Sequence, residues 1–123
     1  MGNSSILIQK KSSWLTKVET YILTQLSRQR HVVISDLSSE MNLSERQFFR
    51  KMEKLTGKTP NRFVQEVRMH KARQILESGC FDNIKSVAAE VGFTDPVYFS
   101  RLFYRFFARQ PSSYTNKRSK MAR

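Results

Sequence analysis

Hydrophobic residues recur at helical spacing along nearly the whole of this chain. Trp14, Leu15, Val18, Ile22 and Leu26 fall on one face, the pattern of an amphipathic helix. Ser13 is its expected N-cap, since a serine hydroxyl can accept from a free amide of the first turn. The polar cluster Ser27-Arg28-Gln29-Arg30-His31 ends it. Ser35 is expected to cap a short helix from Asp36 to Met41, with Leu37 and Met41 facing inward and Asp36 at the positive helix end. Asn42-Leu43 makes a turn, asparagine being tolerant of the left-handed conformation. Ser44 then caps a helix from Glu45 to Thr56. Phe48, Met52 and Leu55 form its apolar stripe, while Arg46, Arg50 and Lys54 lie at i+4 steps on another side, flanked by Phe49 and Lys51.

Gly57 stops that helix. Thr59 caps the next, with Pro60 at the first position, where a missing N–H costs nothing. This long helix, Pro60 to Ser78, is expected to bury Phe63, Val64, Val67, Ala72, Ile75 and Leu76. Gly79 to Asn83 is a loop whose Cys80 and Phe81 are expected to pack. Ile84 to Val91 turns Val87, Ala88 and Val91 inward, and Gly92 makes a second turn. Thr94 is the expected cap of a helix beginning around Asp95-Pro96. Its core stripe is Phe99, Phe103 and Phe106 with Leu102 beside them, against Val97, Ser100, Arg101 and Arg105 on the other side. Gln110-Pro111 opens a last short helix through Tyr114. Residues 1–12 show no periodicity and suit an arm or linker, and residues 116–123 form a basic tail.

The second half of the chain repeats the first. Phe48, Arg50, Met52, Lys54, Pro60 and Phe63 match Phe99, Arg101, Phe103, Arg105, Pro111 and Tyr114 at an offset of 51. Upstream, Ile34, Glu40, Leu43 and Ser44 match Ile84, Glu90, Phe93 and Thr94 at an offset of 50, so one extra residue enters near the start of the second copy's helix. Two copies are too few for a solenoid. The expected fold is all-α, with two related helix-turn-helix subdomains at 13–58 and 79–115 joined by a linker helix at 59–78. In such a unit the second helix can enter a DNA major groove.

Charge narrows the class of partner. The 123 residues carry 22 Lys plus Arg against 10 Asp plus Glu, a net charge of +12, which predicts attraction to nucleic acid or an acidic membrane surface. A basic helix face taken alone is more often simply solvated. On the second helix of a helix-turn-helix unit, in so basic a chain, it points to DNA. Arginine can grip guanine O6 and N7 with two hydrogen bonds, and Phe49 can lie against a thymine methyl. The start of the long helix, beside Lys58, offers amides for a phosphate. A single cysteine, Cys80, excludes an internal disulfide and a cysteine-rich zinc site. No run approaches the length of a membrane span or signal peptide, so a soluble intracellular chain without a membrane partner is expected. His31 and His70 have no companion ligands in sequence, and neither a Ser/His/Asp set nor a glycine-rich phosphate loop occurs. No enzyme and no cofactor are expected.

Three stretches, LSERQFFRKMEKLTGKTPNRFVQEVRMHKARQIL, VAAEVGFTDPVYFSRLF and the closing PSSY, carry a resemblance to the DNA-binding domain of the AraC/XylS family of bacterial transcription regulators. The resemblance runs from about Leu15 to Tyr114. It implies seven helices in two helix-turn-helix subdomains bridged by a long helix, with both recognition helices in successive major grooves of double-stranded DNA. It assigns base reading to Arg46, Phe49 and Arg50 in the first copy, and to Pro96, Val97, Ser100 and Arg101 in the second. Phosphate contacts fall on Ser44, Lys54, Lys58, Thr59 and Asn61, and on Thr94, Arg105, Gln110 and Ser112. Ala108 departs from the glycine the family favours after the second recognition helix. A left-handed Ala108 costs about 1 kcal/mol; otherwise that helix end takes another shape.

The resemblance further implies a bacterial cytoplasmic protein that associates with the nucleoid when bound, and RNA polymerase as a partner if it activates. The family usually joins this domain to a sensor, receiver or dimerisation domain. The chain is therefore either a short stand-alone regulator or the output module of a longer one, and the polar arm at 1–12 favours the module. The competing reading is a nonspecific, charge-driven nucleic-acid binder. It accounts for the net charge but not for two face-sorted recognition helices.

Overall fold

A computed structural model of the chain describes residues 12–114; the arm and the basic tail expected from the sequence lie outside them, apart from Ser12. The order is α1 (Ser13–Ser27), α2 (Ile34–Glu40), α3 (Glu45–Thr56), α4 (Pro60–Ser78), α5 (Ile84–Glu90) and α6 (Pro96–Phe107). Residues 112–114 open a further helix. All regular structure among the described residues is helical, as the periodicity predicts.

Two compact units divide the chain between Val67 and Arg68, inside α4. The first has a core of Leu15, Val18, Ile22 and Leu26 from α1, Leu37 from α2, Phe48 and Met52 from α3, and Phe63, Val64 and Val67 from the first half of α4. The second takes Met69, Ala72, Ile75 and Leu76 from the remainder of α4 and packs them with Val87, Ala88, Phe99, Leu102, Phe103 and Tyr114. One continuous helix thus supplies apolar side chains to both cores. Each core repeats the same plan of helix, short helix, turn and longer helix. The aromatic content rises in the second: Phe103 lies 5.9 Å from Phe99, 4.7 Å from Phe107 and 5.9 Å from Tyr114, ring centre to ring centre.

Several local expectations need correcting. Ser12, not Ser13, caps α1, its hydroxyl accepting from the Leu15 amide at 3.2 Å. The short α2 begins at Ile34 behind Val33, with no side-chain cap; Ser35 lies inside it. Leu55 is not core but 44% exposed. Cys80 is exposed instead of packed, while Phe81 does lie against the second core. Asp95, not Thr94, caps α6, its carboxylate accepting from the amides of Val97 at 2.9 Å and Tyr98 at 3.3 Å. The offset explains this last difference. α2 and α5 are related by 50 residues, as are the turn bonds from Leu43 to Ser38 and from Phe93 to Ala88. α3 and α6 are related by 51 from their first residue. The extra residue is therefore Thr94, in the turn and before the cap.

The two longer helices stop in the same way. Gly57, at φ 75°, and Ala108, at φ 55°, are both left-handed, and each amide reaches back 2.7 Å, to the Glu53 and Tyr104 carbonyls respectively. Of the two outcomes open at Ala108, the strained one is realised. Ala108→Gly is expected to raise stability by about 1 kcal/mol, by relieving the clash between Cβ and the neighbouring carbonyl. Gly57→Ala should cost about as much through backbone strain alone, since a Cβ there meets nothing within 4 Å. Denaturant titration of both variants checks the pair, and equal stabilities would refute the strain at Ala108.

Candidate nucleic-acid interface

In the first unit the arginine face is built by α3. Ser44 and Gln47 form a reciprocal capping box, Ser44 Oγ accepting from the Gln47 amide at 3.1 Å and Gln47 Oε1 from the Ser44 amide at 3.0 Å. That pairing fixes where the helix starts and hence which way its side chains point. Phe48 and Met52 are fully buried and anchor the inner face. Arg46, Phe49, Arg50 and Lys54 are left exposed. Phe49 keeps 43% of its surface in solvent, an aromatic ring among cations.

Lys58, Thr59 and Asn61 stand at the α3–α4 corner. Thr59 caps α4, accepting from the Arg62 amide at 3.2 Å. Lys58 is not a free cation: its Nζ lies 2.8 Å from one oxygen of Glu66, whose other oxygen accepts from Arg62 Nε at 3.0 Å. Glu66 is 8% exposed, so this carboxylate is held between two cations at the edge of the core. A phosphate at this corner would have to share Lys58 with Glu66.

In the second unit α6 presents Val97, Arg101 and Arg105 outward, with Ser100 and Pro96 half-buried. Register places Val97 at the position of Arg46, Ser100 at that of Phe49 and Arg101 at that of Arg50. Val97 is 60% exposed. Thr94, Gln110 and Ser112 are exposed. The Gln110 carbonyl accepts from the Ser113 amide at 3.0 Å and hydroxyl at 2.8 Å, which organises the start of the closing helix. At the start of α6, by contrast, the Asp95 carboxylate already occupies the free amides, and its charge opposes an anion there.

The sequence reading missed Arg68, Tyr98 and Tyr104. Arg68 Nε donates to the Val91 carbonyl at 2.8 Å and its Nη2 to that of Gly92 at 2.7 Å. The guanidinium carbon stacks 4.0 Å from the Phe93 ring centre. Burial lowers the Arg68 pKa, opposed by Tyr98. This clamp ties α4 to the turn that aims α6, and it requires glycine at 92: φ is 90°, and a Cβ would stand 3.0 Å from the guanidinium. At the matching position of α1 stands Val18. Tyr98 and Tyr104 are 48% and 49% exposed on α6. Only their size and polar tip mark them in the sequence. In the first unit Tyr21 has its phenol pKa raised by burial and then by Asp36 and Glu40.

The family model described as a helix-turn-helix domain matches residues 37–117. A probable AraC family transcriptional regulator from Rhodopseudomonas palustris superimposes with a TM-score of 0.73 at 25% identity, covering 87% of this chain and 98% of that one. The chain belongs to the AraC/XylS family. The DNA-binding domain of AdpA, a global transcriptional factor, in complex with a target DNA, gives a TM-score of 0.70 at 26% identity, over 86% of this chain and 90% of that one. Among curated proteins, the chain is 40% identical over 82 residues to histidine kinase P4 of Formosa agariphila, and 34% identical over 76 residues to the transcriptional activator RhaS of Klebsiella pneumoniae. It spans only 6% of the kinase and 27% of the activator. Among the described residues no cluster of metal-ligating side chains occurs, and no helix is long and apolar enough to cross a membrane.

Proposed function

We propose that this AraC/XylS-family chain binds double-stranded DNA sequence-specifically and regulates transcription as the output module of a longer bacterial regulator. The observation that carries the reading is the pair of register-matched helices, α3 and α6. Each is the second helix of a helix-turn-helix, and each turns a cationic and apolar face to solvent. A basic surface alone has no need of two such helices aligned residue for residue.

In this reading Arg46, Phe49 and Arg50 read bases in one major groove, and Pro96, Val97, Ser100 and Arg101 read the next. Pro96 and Val97 bring no side-chain hydrogen bonds, so the second helix discriminates less sharply. Ser44, Lys54, Lys58, Thr59 and Asn61 hold phosphates around α3, and Thr94, Arg105, Gln110 and Ser112 do so around α6. Residues 13–58 and 79–115 are the two reading subdomains, with 59–78 between them. A sensor, receiver or dimerisation domain, and RNA polymerase where the regulator activates, complete the assembly in the bacterial cytoplasm, on the nucleoid. The module itself performs no catalysis.

Selection of bound duplexes from a random library at physiological salt tests this. The expected result is a bipartite, asymmetric motif whose two blocks lie about one helical turn, ~34 Å, apart. Enrichment of nothing beyond base composition would instead support a charge-driven binder, whose affinity falls steeply with salt and hardly varies with sequence.

A further inference from the structure

Beside its arginine face, α3 borders an open depression of about 460 Å³ lined by Leu43, Gln47, Arg50, Lys51, Lys54 and Leu55. Two of the six lining residues are leucines, three are cationic and none is acidic. The internal repeat supplies a comparison. In the second unit the matching positions are Phe93, Tyr98, Arg101, Leu102, Arg105 and Phe106, so the cations of Arg50 and Lys54 are kept while Gln47 and Lys51 give way to Tyr98 and Leu102. There the chain covers the apolar part itself: Phe93 is 7% and Leu102 6% exposed, Tyr98 lies 6.0 Å from Phe93, and the Arg68 guanidinium stacks on Phe93, while Arg101 and Arg105 stay exposed. The first unit has leucines where the second has phenylalanines, and its Leu55 stays 44% exposed.

We propose that this depression docks an acidic amphipathic helix of a partner protein. Leucine-type residues of that helix fill the space over Leu43 and Leu55, and its carboxylates pair with Lys51, Lys54 and the edge of Arg50. Charge complementarity selects the occupant. Phosphates would satisfy the cations but bring nothing to cover the leucines, whereas an acidic amphipathic helix brings both. The length agrees as well: Gln47 to Leu55 spans about two turns, ~12 Å, over which a helix presents residues i, i+4 and i+7.

The test is methyl NMR on the free chain with a synthetic peptide bearing leucines at i, i+4 and i+7 among glutamates. An isomeric peptide with scrambled leucines is the control. The Leu43 and Leu55 methyls are expected to shift with the ordered peptide. Binding should weaken roughly tenfold for the isomer and for Leu55→Gln. The proposal is overturned by unshifted methyls, by equal binding of the isomer, or by wild-type affinity in Leu55→Gln. It also fails if a DNA duplex, and not the peptide, moves these methyls, which would assign the depression to the nucleic-acid interface. Because the peptide is titrated without DNA, its failure leaves the base-reading assignment untouched, and the reverse holds too.

Discussion

Phe103→Ala is expected to lower the stability of the second unit by about 3–5 kcal/mol, comparable with the whole stability of a small domain. The ring is fully buried and contacts Phe99, Phe107 and Tyr114, so truncation removes transfer energy and leaves a cavity between helices that cannot close around it. Few other side chains are available to compensate in a unit of this size. Leu55→Ala is the informative contrast. It matches the next apolar position of α3 by periodicity, yet its exposure predicts a cost within about 0.5 kcal/mol. Chemical denaturation followed by circular dichroism measures both. Similar losses for the two variants would mean that Leu55 packs after all.

Arg50→Ala is expected to cost about 1–3 kcal/mol of binding to the selected duplex, and to relax preference at one base pair only. Arg50 is exposed on α3 between Arg46 and Lys54, and a bidentate contact to guanine is lost as a unit when the fork is removed. Lys58→Ala should act differently, weakening all sequences alike and flattening the dependence of log affinity on log salt by about 0.9, the value of one phosphate contact. Its pairing with Glu66 adds a structural consequence: truncation leaves a nearly buried carboxylate facing Arg62 without Lys58. Urea denaturation of Lys58→Ala should therefore accompany the binding titrations. Indistinguishable profiles for Arg50→Ala and Lys58→Ala, across sequences and salt, would dissolve the division between base-reading and phosphate-holding residues.

Helix boundaries were most legible where the signals were local. Both ends of α3 and the start of α4 follow from Ser44, Gly57 and Thr59-Pro60, because a cap, a left-handed glycine and a first-turn proline act within a few residues of themselves. The shared offsets near 50 likewise disclose two related units, since they lie in the sequence itself. The same local rules failed where two neighbours competed for one role. Ser12 and Ser13 both suit a cap, as do Thr94 and Asp95, and only the backbone decides which side chain reaches the free amides.

The sequence by itself determined the helical class, the duplicated helix-turn-helix and the face of α3 that carries Arg46, Arg50 and Lys54, since period and spacing follow from helix geometry. Tertiary structure alone decided what each face meets. It put Leu55 in solvent although it continues the stripe of Phe48 and Met52, bound Lys58 to Glu66 eight positions on, and set Arg68 against the carbonyls of Val91 and Gly92. Periodicity assigns a residue to a side of its own helix; burial and pairing depend on side chains brought there by other segments, and those meet only once the chain has folded.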